Sequence, residues 1–265
     1  MKSKKPEKKP EKQSPKVPGA PRIIIVGEQS MVDEFATVCL KHGYSFQLAY
    51  NAPPETRPSF PTFSLKTGTA ALRTASVAVE LTNTDRVLKQ QNLERISKDL
   101  APTAAILSTS VTVSATEQTR WIHGKHRLVG IGYLPGLADA GLLEVAPTVF
   151  TPPATLEVVS RFVASIGKAA EIVQDGVGLV FPRVACQMIN EAAFAIAEEV
   201  AEPKAIDEAL MLALRHPRGP VAWAERFGLR QVIAVLEALQ REYGGDRYRI
   251  APLLRQMAYA GEWWK

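Results

Sequence analysis

The chain has 265 residues, of which 46% are hydrophobic and 22% are charged, as in ordinary folded proteins. This length suits one large domain or two smaller ones. No apolar run reaches the roughly 18 residues that a transmembrane helix needs, so we expect no membrane span. No apolar segment follows the N-terminal lysines either, which argues against a secretory signal and favours a cytoplasmic protein.

The formal net charge of +5 is concentrated at the N-terminus. The first 22 residues hold eight basic and two acidic residues, a balance of +6, which leaves 24 basic and 25 acidic residues elsewhere. Residues 1–21 are rich in Lys and Pro and predict a disordered tail. Weak attraction of this tail to nucleic acid or anionic surfaces stays open, and a solubilising role is the simpler interpretation. We expect neither nucleic acid nor a membrane as partner.

Cysteine usage points to a reducing compartment. The two cysteines, Cys39 and Cys186, each lie inside an apolar pattern. Buried thiols are therefore a better interpretation than a disulfide or a metal site.

The predicted elements begin with a β-α-β unit. Residues 23–27 form a β-branched run that ends in glycine, the pattern of a buried parallel strand. Helical periodicity follows through residues 31–39 and ends at Gly43, and residues 46–50 form a second predicted strand. This opening is typical of a Rossmann-like, doubly wound parallel sheet that binds a dinucleotide.

Strands and helices then alternate to about residue 175. We predict strands at residues 62–65, 76–81, 104–114 and 167–175, and helices at residues 85–100 and 155–164. The helix at 85–100 is predicted to be amphipathic through Val87, Leu88, Leu93, Ile96 and Leu100.

The last third of the chain predicts an all-α domain. Residues 176–200 are predicted to form a turn followed by a long helix. This helix has two apolar faces, one starting at Val184 and the other at Ile189, so it should be largely buried. Asn190 interrupts the apolar run, and a buried amide needs hydrogen-bond partners. Amphipathic helices follow, one of them with Pro203 in its first turn.

Four segments of this part resemble a known family in order and spacing. They read FPRVACQMINEAAF, AIDEAL, RHPRGPVAWAERFG and DRYRIAPLLRQM. They resemble the C-terminal domain of the NAD-dependent L-3-hydroxyacyl-CoA dehydrogenases (3-hydroxybutyryl-CoA dehydrogenases), and the N-terminal half resembles the same family more weakly. The resemblance implies a Rossmann-like domain at residues 22–175 and a helical dimerisation domain at residues 176–265. It also implies a homodimer that oxidises L-3-hydroxyacyl-CoA to 3-oxoacyl-CoA with NAD, in fatty acid metabolism.

The chain departs from the family where NAD would bind. The family's first turn reads G-x-G-x-M-G, whereas residues 27–32 read GEQSMV, so Gln29 and Val32 replace glycines. Glu28 adds negative charge where a pyrophosphate would lie. Tyr50 replaces the acidic residue that would hold the ribose. The usual pose of NAD is therefore disfavoured, and the cofactor contacts that the resemblance implies are Gly27, Gln29, Met31 and Tyr50.

A second departure concerns the general base. The segment HRLVGIGYLPGL resembles the family's G-M-H-F-F-N-P, in which the His takes the proton of the substrate alcohol because its pKa is close to neutrality. When the two are aligned on the first Gly, the His position is Gly132. His123 and His126 lie upstream, at the far end of the strand, and are predicted surface residues.

Three further positions match the family's catalytic site. Glu144 corresponds to the carboxylate that orients the base, Asn190 to the active-site Asn, and Thr112 keeps a hydroxyl near the substrate-binding Ser. Glu144 and Asn190 are expected to pair in a residual polar pocket. An equally good interpretation is that the Thr112 hydroxyl hydrogen-bonds to backbone groups at the end of its own strand.

Two functions remain open. After Asn51 the chain is short and Pro-rich where relatives carry a helical hairpin that helps to hold coenzyme A. Loss of the fingerprint, the base and this hairpin together favours a family member with lost or strongly altered catalysis, a binding or regulatory pseudoenzyme. The alternative is an active oxidoreductase that binds NAD in a shifted pose and acts on a small hydroxyacyl substrate. An acyl-CoA or a related small molecule is the expected ligand, and no metal is predicted.

Overall fold

The computed structural model describes residues 22–52, 58–65 and 69–261, and the predicted tail at residues 1–21 lies outside these ranges. A seven-stranded sheet is formed by β1 (Arg22–Gly27), β2 (Ser45–Tyr50), β3 (Ala75–Leu81), β4 (Ala105–Thr109), β5 (Leu128–Ile131), β6 (Leu142–Pro147) and β7 (Ala169–Ile172). The helices between the strands are α1 (Gln29–Lys41), α2 (Thr69–Thr74), α3 (Arg86–Asp99), α4 (Ala115–Gln118) and α5 (Pro153–Ser165). The helices after the sheet are α6 (Phe181–Ala197), α7 (Pro203–Leu214), α8 (Pro220–Phe227), α9 (Leu229–Tyr243) and α10 (Pro252–Ala260).

The sheet is Rossmann-like in its strand order, β2-β1-β3-β4-β5-β6-β7. Strands β1 to β5 are parallel, as predicted, but β6 pairs with β5 in the antiparallel sense and β7 runs parallel to β6. The sheet is therefore mixed, not wholly parallel. In open α/β sheets, ligands bind outside the carboxyl ends of the strands, which here places the loops after β1, β2 and β3 side by side.

The first β-α-β unit follows the prediction closely. Strand β1 is buried except at Arg22, and α1 buries Met31, Phe35 and Cys39 against the sheet. The helix ends at Lys41. Gly43 then turns the chain with a φ of +78°, which costs glycine little, and the amide of Tyr44 donates to the carbonyl of Cys39. Local periodicity and one glycine thus account for this unit.

Three predicted features of the sheet region are wrong. Residues 62–65 form no strand, because within the described residues only Thr62 bridges to β2, at Leu48. The strand predicted at residues 104–114 ends at Thr109, since the chain turns into the loop before α4. Val87 is 64% exposed, and the buried face of α3 carries Lys89 instead.

The helices after the sheet pack around α6. Its buried face includes Cys186, Ile189 and Asn190, whereas Val184 is 52% exposed, so the expectation that both apolar faces are buried holds for one face only. Helix α7 begins at Pro203 as predicted, yet none of its residues is buried in the single chain. None of the helices in the described ranges is long and apolar enough to span a bilayer.

Candidate functional site

The turn between β1 and α1 lies directly against the end of β3. Gly27 has a φ of +147°, and a β-carbon there would come within 2.2 Å of the carbonyl oxygen of Leu81. The amide of Glu28 donates to that same oxygen at 2.9 Å. Glycine is therefore required at position 27 by the close packing of two strand ends, before any ligand is considered.

The carboxylate of Glu28 is the centre of a polar cluster above this turn. Its Oε1 accepts hydrogen bonds from the backbone amides of Asn83 and Thr84, both at 2.7 Å, and from the Thr84 hydroxyl at 3.0 Å. Its Oε2 accepts a hydrogen bond from the side-chain amide of Gln231, which belongs to α9. One carboxylate thus joins the loops after β1 and β3 to a helix of the C-terminal part.

Asn83 completes this cluster, which we call the Glu28 cluster (Glu28, Asn83, Thr84 and Gln231). The Asn83 side-chain amide donates to Gln231 Oε1 at 3.0 Å and to the carbonyl of Tyr133 at 3.1 Å. It also lies 3.4 Å from the sulfur of Met31, which is fully buried. Met31, a predicted cofactor contact, therefore packs against the Asn83 side chain and is inaccessible to solvent.

A cavity of about 1020 Å³ lies beside the Glu28 cluster, over the ends of β1, β2 and β3 and facing α8 to α10. Gln29 and Tyr50, two predicted cofactor contacts, line it. The charged residues in its wall are Glu28, Asp33, Asp85, Glu225 and Arg230, so four carboxylates face one guanidinium. The cavity is acidic, whereas a pyrophosphate site would be expected to offer positive charge and free amide donors.

Tyr50 is tied to this acidic wall. Its hydroxyl donates a hydrogen bond to Asp33. Burial and then the hydrogen bond to Asp33 raise the pKa of Tyr50 above its ordinary value. The phenol therefore stays neutral and donates its hydrogen bond to Asp33. In the family, the position of Tyr50 is held by an acidic residue that would bind a ribose.

Gly132 and Glu144 are neighbours, as the resemblance implies. The amide of Gly132 donates to the Glu144 carbonyl at 3.1 Å, and a β-carbon at position 132 would lie 2.9 Å from Glu144 Oε2 and 3.4 Å from Leu179 Cδ1. The Glu144 carboxylate accepts hydrogen bonds from the amides of Val180 at 3.0 Å and Phe181 at 2.6 Å. It therefore binds the otherwise unsatisfied first amides of α6.

Asn190 does not pair with Glu144, so that expectation is wrong. Its side-chain amide donates to the carbonyl of Arg249 at 2.8 Å, and its oxygen accepts from the amide of Ala251 at 2.9 Å. Asn190 is 3% exposed. It fixes the extended chain that leads into α10, which satisfies the buried amide in a structural way.

Thr112 is hydrogen-bonded to the Glu28 cluster. Its hydroxyl donates to the carbonyl of Asn83 at 3.0 Å, so it links the loops after β3 and β4. It also lines a smaller cavity of about 440 Å³ between the loop after β4 and α9, with Arg86, Glu117 and Arg241. Among the four predicted catalytic positions, Gly132 and Glu144 are in direct contact, whereas Thr112 and Asn190 hydrogen-bond to backbone groups elsewhere.

Sequence comparisons decide the family. Residues 50–176 match the model of the 3-hydroxyacyl-CoA dehydrogenase NAD binding domain, and residues 178–264 match that of the 3-hydroxyacyl-CoA dehydrogenase C-terminal domain. The chain belongs to the 3-hydroxyacyl-CoA dehydrogenase family. The boundaries that we predicted for its domains stay predictions.

The similar relatives carry names from this dehydrogenase family. A probable 3-hydroxybutyryl-CoA dehydrogenase of Bacillus subtilis is 30% identical over 187 residues, 71% of this chain and 65% of that protein. Its counterpart in Deinococcus radiodurans is 29% identical over 185 residues, 70% of this chain and 66% of that protein. The chain thus spans just under two thirds of the length of either relative.

Two solved structures share the fold. The (S)-3-hydroxybutyryl-CoA dehydrogenase PaaH1 of Ralstonia eutropha has a TM-score of 0.75 at 24% identity, covering 92% of this chain and 95% of its own. FadB2 of M. tuberculosis has a TM-score of 0.80 at 19% identity, covering 93% and 96%. At these identities the likeness concerns the fold.

Sequence reasoning missed one buried ion pair in this family member. Lys89 Nζ lies 2.5 Å from Glu80 Oε2 and also donates to Thr109 and to the carbonyl of Thr82. Both charged side chains are buried, and burial lowers the pKa of Lys89 while Glu80 opposes that shift. The spacing of Lys89 from Leu93 and Ile96, which places it on the buried stripe of α3, was the available signal.

The remaining reactive side chains are inert or exposed. Cys39 and Cys186 are buried free thiols as predicted, and burial raises the pKa of Cys39 to about 12. His123 and His126 are exposed, as predicted. Among the residues that the structure describes, no three His, Cys, Asp or Glu side chains group so as to hold a metal ion.

Proposed function

We propose that this member of the 3-hydroxyacyl-CoA dehydrogenase family does not carry out NAD-dependent oxidation of L-3-hydroxyacyl-CoA, and that it acts instead as a homodimeric binding or regulatory protein. The relation of Gly132 to Glu144 carries the proposal. The family's base position holds no side chain, and the carboxylate beside it is hydrogen-bonded to the start of α6.

Alcohol oxidation needs an acceptor for the hydroxyl proton. Gly132 has none, and its surroundings are filled by the side chains of Glu144 and Leu179. Both carboxylate oxygens of Glu144 already accept hydrogen bonds from backbone amides, and the residue is 6% exposed. Loss of a general base alone typically lowers a rate by about 10²–10⁴.

The cofactor cleft supports the same proposal, because its residues do not fit a dinucleotide in the usual pose. The carboxylate of Glu28 already takes the amides of Asn83 and Thr84, and three more carboxylates face the cavity. Two like charges about 4 Å apart repel by about 1 kcal/mol even in water. A pyrophosphate there would meet this repulsion, and Arg230 is the one positively charged side chain among the described residues of the wall.

An exposed apolar surface on the C-terminal helices supports the homodimer. Leu212 and Leu214 of α7 are 82% and 55% exposed, and Val184 of α6 is 52% exposed. No residue of α7 is buried in the single chain. Large exposed apolar patches mark interaction sites, and closed two-fold dimers are the commonest soluble assemblies. A second copy of this chain is the occupant that we propose.

A turnover assay tests the proposal. The full chain is incubated with NAD and L-3-hydroxybutyryl-CoA, and NADH formation is followed beside an active 3-hydroxybutyryl-CoA dehydrogenase under the same conditions. We expect no NADH above the rate without protein. NADH formation that scales with protein concentration and requires the hydroxyacyl-CoA would overturn the proposal.

A further inference from the structure

We infer that the Glu28 carboxylate ties the turn after β1 to the loop after β3 and to α9, and that it thereby excludes a dinucleotide from its usual pose in the nucleotide cleft. This inference rests on the proposed function and deepens it, because it names the group that excludes the dinucleotide and the contacts through which it does so. Three observations support it: where the Glu28 side chain points, how many donors bind its carboxylate, and which element supplies the last donor.

The direction of the side chain is the first observation. Glu28 immediately precedes α1, where a pyrophosphate would bind the exposed amides of a Rossmann-like fold. Its side chain makes no capping hydrogen bond to α1. It turns across the strand ends to the amides of Asn83 and Thr84. The carboxylate therefore brings an anion to the donors of the neighbouring loop.

The number of donors is the second observation. Two backbone amides, one hydroxyl and one side-chain amide donate to this carboxylate. Bonds from amides to an ionised oxygen are among the strong hydrogen bonds of proteins. A ligand oxygen in this position would have to displace Glu28 from all of them and then lie beside its charge.

The origin of the fourth donor is the third observation. Gln231 is 6% exposed and comes from α9, on the other side of the cleft. Besides donating to Glu28, it accepts a hydrogen bond from Asn83 at 3.0 Å. The two bonds join α9 to the strand ends, so the cleft cannot widen at this point without breaking both.

Removal of the carboxylate should therefore release the loop after β3 and admit a dinucleotide to the cleft. Glu28→Gly leaves the amides of Asn83 and Thr84 without their acceptor and removes one negative charge. We expect NADH to bind this variant at least about tenfold more tightly than the wild-type protein. Glu28→Gln removes the charge but keeps a side chain that can still accept these bonds, so its gain should be smaller.

The first experiment titrates NADH into wild-type protein and into Glu28→Gly, Glu28→Gln and Glu225→Gln, each shown to be folded by circular dichroism. Glu225 lines the same cavity outside the cluster, so Glu225→Gln is the control for charge alone. We expect binding to Glu28→Gly, less to Glu28→Gln, and none to the wild type or the control. Micromolar binding by the wild type, or an equal gain in the control, would overturn the inference.

The second experiment tests, without a ligand, whether the Glu28 cluster holds α9 against the strand ends. Hydrogen exchange is compared in wild-type protein, Glu28→Gly and Gln231→Ala, which breaks the cluster from α9 and leaves the loop sequence intact. We expect faster exchange at Asn83, Thr84 and the first turn of α9 in both variants. Unchanged exchange in Gln231→Ala would overturn the inference, even if Glu28→Gly does not fold. NADH binding by the wild type without turnover would contradict this inference alone, whereas turnover would contradict the proposed function.

Discussion

A β-carbon on Gly132 would stand 2.9 Å from Oε2 of Glu144, so the family's base position and its orienting carboxylate remain adjacent in this chain. Their relation has changed in kind. The carboxylate is bound by the amides of Val180 and Phe181 and thereby anchors α6 to the sheet. Glu144 therefore has a structural role in this chain, and this role has a measurable consequence.

Glu144→Ala should lower the stability of the fold by about 1–3 kcal/mol, because two amides at the start of α6 lose a buried acceptor. Glu171→Ala is the matched control, since Glu171 pairs with Glu144 in the register of β6 and β7 but is exposed. Urea denaturation measures both, and the control should change by no more than about 0.5 kcal/mol. Equal losses would show that the α6 contact contributes nothing.

The buried pair of Lys89 and Glu80 gives a second prediction. Lys89→Met should destabilise the protein by about 3–5 kcal/mol, because it leaves the Glu80 carboxylate buried without its partner. The double variant Glu80→Gln/Lys89→Met should lose less than Lys89→Met alone, since no charge is then stranded. Lys98→Met, an exposed position on the same helix, is the control for helix effects. A double variant less stable than the single would refute this account of the pair.

Glu34 gives the protein a pH dependence of known sign. Burial raises the pKa of Glu34 above 4.5, opposed by the amide of Gly136 and by Arg226. The folded state holds the proton of Glu34 more tightly than the unfolded state. The contribution of protonated Glu34 to the free energy of unfolding is therefore fully present below the unfolded pKa and is lost as pH rises through the folded pKa.

Glu34→Gln should therefore flatten the stability profile from about pH 4.5 upwards. Denaturant unfolding over this range, with the exposed Glu157→Gln as control, makes the comparison. An unchanged slope in Glu34→Gln would mean that another group governs it.

The proposed dimer can be broken at one exposed position. Leu212→Glu places a charge on the apolar side of α7, so it should shift the protein from dimer to monomer. Sedimentation equilibrium gives the mass of each form. Lys204→Gln, on the same helix and 88% exposed, should leave the dimer intact. A wild-type monomer, or a Leu212→Glu dimer of unchanged affinity, would exclude this interface.

Much of the fold could be predicted because its signals are local. The β1-α1-β2 unit, the glycine end of α1 and Pro203 at the start of α7 each depend on residues close in sequence. Periodicity failed at residues 62–65, where an apolar stretch makes a single bridge to β2 and no ladder. A short apolar run does not specify a strand unless a neighbour offers a pairing edge.

The site could be predicted only in part, because its bonds join distant residues. The charge of Glu28 was evident, but its partners Asn83 and Gln231 lie 55 and 203 residues further along the chain. Asn190 was correctly identified as a buried amide in need of partners, which are backbone groups about 60 residues away, at Arg249 and Ala251. No pattern of spacing reveals such pairs.

We propose that the general base and the dinucleotide site are both lost, so that restoring the base alone should restore no activity. Turnover by Gly132→His with NAD and L-3-hydroxybutyryl-CoA tests it most directly, with the wild type and Gly132→Ala beside it. We expect no NADH from any of the three, because an imidazole beside Glu144 cannot act while the Glu28 cluster excludes the dinucleotide. NAD-dependent oxidation by Gly132→His would contradict it, since the missing base would then be the only lesion.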